Sequence, residues 1–78
     1  MYPAVTDVKP DKDYTLLLRF ENGDLKRFDM KPFLDKGIFK ELKDISKFNS
    51  VHVAFDTIEW DNNADFDPEA LFVYSEKI

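Results

Sequence analysis

The sequence contains no cysteine and only two glycines. Without cysteine the chain has no disulfide bond, no thiolate nucleophile and no zinc site built on sulfur ligands. The glycines, Gly23 and Gly37, are far apart, and neither belongs to a glycine-rich loop that opens a helix. The sequence therefore has no phosphate-binding loop of the kind found in nucleotide-binding proteins.

Long apolar runs are also missing. No stretch approaches the roughly 20 apolar residues that span a bilayer, and the N-terminus lacks the basic start and apolar segment of a signal peptide. We therefore expect a cytoplasmic protein that does not contact a membrane. The net charge of −5 argues against direct nucleic acid binding, because contacts to phosphates depend on a high density of Lys and Arg.

Groups that perform catalysis are scarce. His52 is the only histidine, and it occupies a polar position of an alternating segment that predicts a strand, so we expect it to face solvent. Nucleophilic catalysis needs a nucleophile and a base that activates it, and none of the three serines lies in such a context. We therefore expect no enzymatic activity, no catalytic residue, no cofactor and no resident metal.

The composition is that of a folded domain. The chain has 78 residues, of which 44% are hydrophobic and 15% aromatic. This length fits one hydrophobic core but not two independent ones. We expect a single domain over residues 1–78.

The clearest local signal is Asn22-Gly23, which lies between two apolar segments, 14–20 and 25–30. Asn-Gly predicts a β-hairpin, because both residues tolerate a positive φ. A two-residue loop would place Glu21 opposite Asp24, which is a like-charge pair. We favour a three-residue loop with Gly23 in the left-handed conformation, which pairs Leu16 with Phe28.

The other elements follow from periodicity and turn residues. Residues 2–8 predict a strand that a turn at 10–13 joins to the hairpin, and residues 51–60 predict a second hairpin. Leu34, Ile38, Leu42 and Ile45 have helical spacing and predict one or two short helices. Asp67-Pro68-Glu69 predicts the start of a terminal helix with Leu71, Tyr74 and Ile78 on its buried side. The predicted fold is α+β in the order β-β-β-α-β-β-α: a small antiparallel sheet, formed by a three-strand meander and a second hairpin, with short helices packed on it.

Negative charge is concentrated near the C-terminal end. Residues 51–78 contain seven Asp or Glu against the single Lys77, whereas residues 1–50 contain ten Lys or Arg against nine Asp or Glu. This block is either a solvated face or a surface that steers a basic protein partner. The residues of the candidate interaction patch are Asp56, Glu59, Trp60, Asp61, Asp65, Asp67 and Glu69. For Trp60, packing in the core is the alternative to an interface role.

The polar segment 61–67 invites comparison with a calcium-binding loop, but Phe66 occupies the place of the required glycine and Phe72 that of the required glutamate. We therefore read it as a turn at Asn62-Asn63 followed by a helix cap at Asp67. A small-ligand or divalent-metal site on Asp61, Asp65 and Asp67 is kept as the alternative to a protein-interaction role.

Several of these segments occur in a familiar order: 14–23 (YTLLLRFENG), 28–29 (FD), 37–44 (GIFKELKD), Phe48, 58–62 (IEWDN) and 65–72 (DFDPEALF). In this the sequence resembles the bacterial domain of unknown function 2442 family over nearly its whole length. It departs from the family pattern at Asp61, where relatives often have proline, and at Asn63, where they often have glycine. The resemblance implies a small α+β domain without an established activity. Some members are encoded beside small toxin-like proteins, so it also implies an antitoxin-like role with a basic toxin-like partner. Whether the chain forms homo-oligomers stays open.

Overall fold

A computed structural model describes residues 2–78 of the chain. These residues form six strands: β1 (Val5–Asp11), β2 (Thr15–Phe20), β3 (Leu25–Asp29), β4 (His52–Ala54), β5 (Thr57–Glu59) and β6 (Glu76–Lys77). They also form two α-helices, α1 (Ile45–Phe48) and α2 (Pro68–Tyr74), and three 3₁₀ segments at Lys12–Tyr14, Lys31–Phe33 and Gly37–Lys43. None of the described helices is long and apolar enough to cross a membrane. The α+β class that the sequence predicts is confirmed.

The main sheet is antiparallel, with the strand order β1-β2-β3-β6, and β4 and β5 form a separate two-stranded sheet. Leu16 pairs with Phe28 across β2 and β3. The backbone N–H of Gly23 donates to the Phe20 carbonyl at 2.9 Å, and the φ of Gly23 is +91°. The three-residue loop and the register that the apolar pattern favours are therefore confirmed.

β1 forms one edge of the main sheet and begins three residues later than the sequence pattern indicates. It continues through Pro10, because proline is tolerated on an edge strand, where no ladder hydrogen bond is required of it. The Val8 N–H donates to Oδ1 of the preceding residue, Asp7, at 3.0 Å. Pro10 has no N–H and the Val8 N–H is bound by a side chain, and both features disfavour the addition of a further strand at this edge.

The segment that connects the two sheets contains the short helical elements that the sequence predicts, mainly as 3₁₀ segments. Leu34 and Leu42 are buried, but Ile38 and Ile45 are 43% and 54% exposed, so the four residues do not share one buried face. The reason is that Lys31–Phe33 and Gly37–Lys43 are 3₁₀ segments. Their residues repeat every three positions, so a stripe spaced for an α-helix does not stay on one face.

The terminal helix is also shorter than predicted. α2 ends at Tyr74, and Ser75 adopts an extended backbone. The following residues form β6, and the Ile78 N–H donates to the Leu25 carbonyl of β3 at 3.1 Å. Tyr74 and Ile78 are 64% and 69% exposed, so only Leu71 of the predicted buried side lies in the core. Pairing with the open edge of β3 replaces the last helical turn, because it satisfies backbone groups that this edge would otherwise leave free.

The core lies between one face of the main sheet and the remaining elements. Its largest fully buried side chains are Trp60, Phe20, Phe28, Phe48, Leu16, Leu18, Met30, Leu42, Ile58 and Leu71. The indole Nε1–H of Trp60 donates to the Phe48 carbonyl at 2.9 Å, which attaches the end of β5 to α1. Burial of the ring with its single polar group satisfied is the usual requirement for a core tryptophan.

Candidate functional site

The turn between β4 and β5 carries an unusual residue at its tip. Ala54 pairs with Thr57, so the loop consists of Phe55 and Asp56 alone, with φ values of +52° and +68°. Positive φ at both central positions defines a type I′ turn, which prefers Asn, Asp and Gly. A bulky residue at positive φ is a conformational outlier. Phe55 is also 90% exposed, so burial of its ring does not offset this strain.

Backbone hydrogen bonds bring this turn close to two other segments. The Val5 N–H donates to the Asp56 carbonyl at 3.1 Å, which joins the turn to the start of β1. The Glu21 N–H donates to the Ala4 carbonyl at 2.8 Å, and the Ala4 N–H donates to Glu21 Oε1 at 3.1 Å. Residues 2–5 are therefore held between the β2–β3 loop and the β4–β5 turn.

The N-terminal segment also contacts α2. The rings of Tyr2 and Phe72 lie 5.6 Å apart between centres. Phe72 is supported from below by the buried Lys26, whose ammonium lies 3.5 Å from the ring centre and donates to the Phe72 carbonyl at 2.9 Å. This cation–π contact and hydrogen bond fix the aromatic surface on which Tyr2 rests.

These segments enclose a surface groove of 460 Å³, which we call the acidic groove. It is lined by Tyr2, Pro3, Ala4, Glu21, Phe55, Asp56, Asp67, Pro68 and Glu69. Four of these residues carry a carboxylate and none carries a positive charge. The remaining five offer aromatic, proline and alanine surface. The groove therefore combines negative potential with apolar contact area.

The four carboxylates differ in whether they form hydrogen bonds within the chain. Asp67 accepts a hydrogen bond from the Ala70 N–H at 3.0 Å and caps α2, as the sequence predicts. Glu21 accepts from Ala4. Asp56 and Glu69 make no side-chain hydrogen bond or ion pair with another residue of the described range 2–78. These two are the carboxylates that a bound cation would meet without breaking an existing contact.

A second group of acids surrounds His52. Its Nε2 lies 3.4 Å from Glu59 Oε1, and its Nδ1 lies 3.8 Å from Asp61 Oδ1. The Ser50 carbonyl, 3.1 Å from Nδ1, raises the pKa of His52 above 6.5, and the two carboxylates raise it further. Glu59 lies opposite Asp65 in an isolated bridge. The imidazole is 45% exposed, so the prediction that His52 faces solvent is confirmed.

The predicted interaction patch is therefore divided into three parts. Asp56, Asp67 and Glu69 line the acidic groove, whereas Glu59, Asp61 and Asp65 lie along the strip beside His52. Trp60 has no exposed surface and cannot be part of a binding surface, which corrects its inclusion in the patch. Its role is the core packing that stood as the alternative.

The segment 61–67 forms the turn that the sequence predicts. Asn63 has a φ of +70°, and Asn62 Oδ1 accepts from the Ala64 N–H at 3.0 Å. The Trp60 N–H donates to the Ala64 carbonyl at 2.8 Å, which repeats the hydrogen bonding of the Gly23 loop. Across residues 2–78, no group of three or more His, Asp or Glu side chains is arranged to hold a metal ion.

The predicted interaction patch omits six residues that line the groove, among them Tyr2, Glu21 and Phe55. The sequence pattern places Tyr2 in the first strand, which begins only at Val5, and it places Phe55 within the second hairpin. Glu21 lies in the three-residue loop that the sequence predicts, but no local signal indicates that this loop meets the N-terminal segment. Long-range hydrogen bonds create the groove, and residue spacing does not encode them.

No curated protein and no solved structure matches the chain. The model of the family described as protein of unknown function (DUF2442) matches residues 5–77, which is almost the entire chain and every strand and helix described above. The chain therefore belongs to the DUF2442 family.

Proposed function

We propose that this chain is a non-catalytic protein-interaction domain whose acidic groove binds a basic protein partner. The observation that carries the proposal is the exposed Phe55, held at positive φ beside four carboxylates that no lysine or arginine accompanies. Natural proteins keep such strained residues mainly where they contribute to function. Exposed aromatic side chains are also the residues that most often dominate the energy of an interface.

The chemistry of the groove defines the partner. The uncommitted carboxylates of Asp56 and Glu69 favour Lys or Arg, and the rings of Tyr2 and Phe55 favour apolar side chains or the faces of guanidinium groups. A segment of a basic protein that combines both features fits best. A small basic toxin is the partner class that the family resemblance implies, and negative potential in the groove would accelerate its association.

The partner is to be captured from the source cells with the immobilised domain and then purified. Its affinity is measured by calorimetry for the wild type and four variants. Phe55→Ala removes the exposed ring in the groove, and Ile45→Ala removes an exposed apolar side chain on α1, outside the groove. Asp56→Asn removes a groove carboxylate, and Asp13→Asn removes a carboxylate at an equivalent positive φ in the β1–β2 turn.

We expect Phe55→Ala to weaken binding by about tenfold or more, as is typical of an aromatic anchor. We expect Asp56→Asn to weaken it by severalfold, with a larger loss at low salt, because an exposed charge pair is screened by ions. Ile45→Ala and Asp13→Asn should bind as the wild type does. A captured protein that binds all four variants equally, or the absence of any basic partner, would overturn the proposal.

A further inference from the structure

The exposed side of α2 continues the acidic groove. A smaller depression of 210 Å³ lies along this helix and is lined by Asp67, Glu69, Ala70, Val73 and Tyr74. We call it the helix depression. Asp67 and Glu69 also line the acidic groove, so the two depressions meet at these carboxylates and form one continuous surface.

Beyond these carboxylates the helix depression is apolar. Val73 and Tyr74 are 54% and 64% exposed. Residues four positions apart lie on the same side of an α-helix, so Val73 follows Glu69 and Tyr74 follows Ala70 along the exposed side. α2 contains no basic residue that could pair with Glu69. The carboxylates therefore separate two apolar areas, one in the acidic groove and one on α2.

Contacts at both ends hold α2 in place. Asp67 caps its first turn. In its last turn the Phe72 carbonyl accepts hydrogen bonds from Lys26 Nζ at 2.9 Å and from Ser75 Oγ at 3.1 Å. Leu71 is fully buried and fixes the helix to the core. A segment that docks on the exposed side meets a surface that is already ordered, so little conformational entropy is lost on binding.

The two kinds of surface restrict the occupant. An acidic segment would be repelled by Asp67 and Glu69. A purely apolar segment would cover the Glu69 carboxylate without supplying an opposite charge, which is unfavourable. A segment that places a basic side chain at the carboxylates and an apolar side chain against Val73 and Tyr74 satisfies both areas.

We infer that the basic partner carries an apolar residue two positions from the arginine or lysine that meets Glu69, and that this apolar residue binds against Val73 and Tyr74. The inference rests on the proposed function of the acidic groove and specifies its partner. Glu69 and Val73 lie about 6 Å apart along the helix axis. In an extended segment, side chains two positions apart point to the same side and lie about 6.5 Å apart. One extended segment can therefore reach both.

Two synthetic peptides test the inference in nuclear magnetic resonance titrations of the ¹⁵N-labelled full chain. Both are about ten residues long, too short to form a stable helix alone. The first carries phenylalanine, arginine and leucine at every second position, with uncharged polar residues elsewhere, and the second has serine in place of leucine. We expect the wild type to bind the leucine peptide about fivefold more tightly, which corresponds to partial burial of one leucine side chain.

Tyr74→Ala and Val73→Ala remove the apolar wall of the helix depression, and Ile45→Ala removes an exposed apolar side chain on α1 as the control. All three residues are more than half exposed, so the fold should be retained, and circular dichroism verifies this. We expect the preference for the leucine peptide to fall below about twofold when both Val73 and Tyr74 are replaced, because the leucine then has little surface to bury against. Ile45→Ala should keep the fivefold preference.

Equal binding of the two peptides by the wild type would overturn the inference, and so would a preference that survives replacement of Val73 and Tyr74. Asp56→Asn separates this result from the proposed function. If neither peptide binds, or if Asp56→Asn does not weaken binding, the acidic groove is not the binding site and both proposals fail. If binding depends on Asp56 but not on Val73 or Tyr74, only the present inference fails.

Discussion

Replacement of Phe55 by asparagine should stabilise the domain. The left-handed conformation costs a residue with a β-carbon about 1–2 kcal/mol, and Asn tolerates it better than other such residues do. The ring is 90% exposed, so its loss removes only about 20 Å² of buried apolar area, or about 0.5 kcal/mol. We therefore expect Phe55→Asn to raise the free energy of unfolding by about 0.5–1 kcal/mol.

Urea denaturation measures this change directly. Trp60 is the only tryptophan and is fully buried, so its fluorescence reports the loss of the core. The midpoint should increase without a change in slope, because the area exposed on unfolding hardly changes. For a domain of this size the melting temperature should rise by about 2–8 °C.

Phe55→Ala is the matched control for this experiment. Alanine removes the ring but keeps a β-carbon at positive φ, so the strain remains and the stability should stay equal or fall slightly. If Phe55→Asn is no more stable than Phe55→Ala, the turn is not strained and the argument from Phe55 fails. If the reasoning holds, Phe55→Asn gains stability while it loses partner binding, which is the exchange expected at a functional residue.

Three further predictions concern other parts of the fold. Asp67→Ala should destabilise the domain by about 1 kcal/mol, because it removes the cap of α2, whereas Asp67→Asn, which can still accept the hydrogen bond, should cost a few tenths at most. Lys26→Ala should cost about 2–3 kcal/mol in urea denaturation, because it removes the buried stem together with the ammonium that contacts Phe72; Lys26→Met keeps the packing of the stem and should cost less, and equal losses would show that the stem contributes nothing. His52 has a raised pKa, so its stabilising contribution is fully present below pH 6.5 and is lost as the pH rises through the pKa of the folded state. His52→Gln should therefore flatten that part of the stability profile, and an unchanged profile would show that His52 does not cause it.

Local signals in the sequence predicted the parts of the fold that short-range chemistry controls. Asn22-Gly23 and the apolar alternation around it determined the loop and the register of β2 and β3. Asp67-Pro68 marked the start of α2, and Asn63 marked a turn. In each case the residue type satisfies a backbone requirement within a few positions, so one sequence is enough to recognise it.

The features that depend on distant contacts were not predictable in this way. In the sequence, residues 75–78 continue the helical pattern of α2. In the structure, residues 76–77 pair with the free edge of β3 as the strand β6. Phe55 continues the alternating pattern of the second predicted hairpin, but it lies in the two-residue turn with Asp56 and not in a strand. The acidic groove was predicted only in part, because charge counting indicated an acidic region but not which carboxylates meet Tyr2 and Glu21. Tertiary context overrides local preference at such positions.

The most direct test of the central claim is a nuclear magnetic resonance titration of the ¹⁵N-labelled domain with its basic partner. The probe can also be an arginine-rich peptide with one phenylalanine, and an acidic peptide of the same length serves as control. We expect the basic probe to shift the amide signals of residues 2, 4, 5, 21, 55, 56, 67 and 69, and the acidic peptide to shift none of them. Shifts confined to the residues around His52 or to the outer face of the main sheet would contradict the assignment of the acidic groove as the binding site.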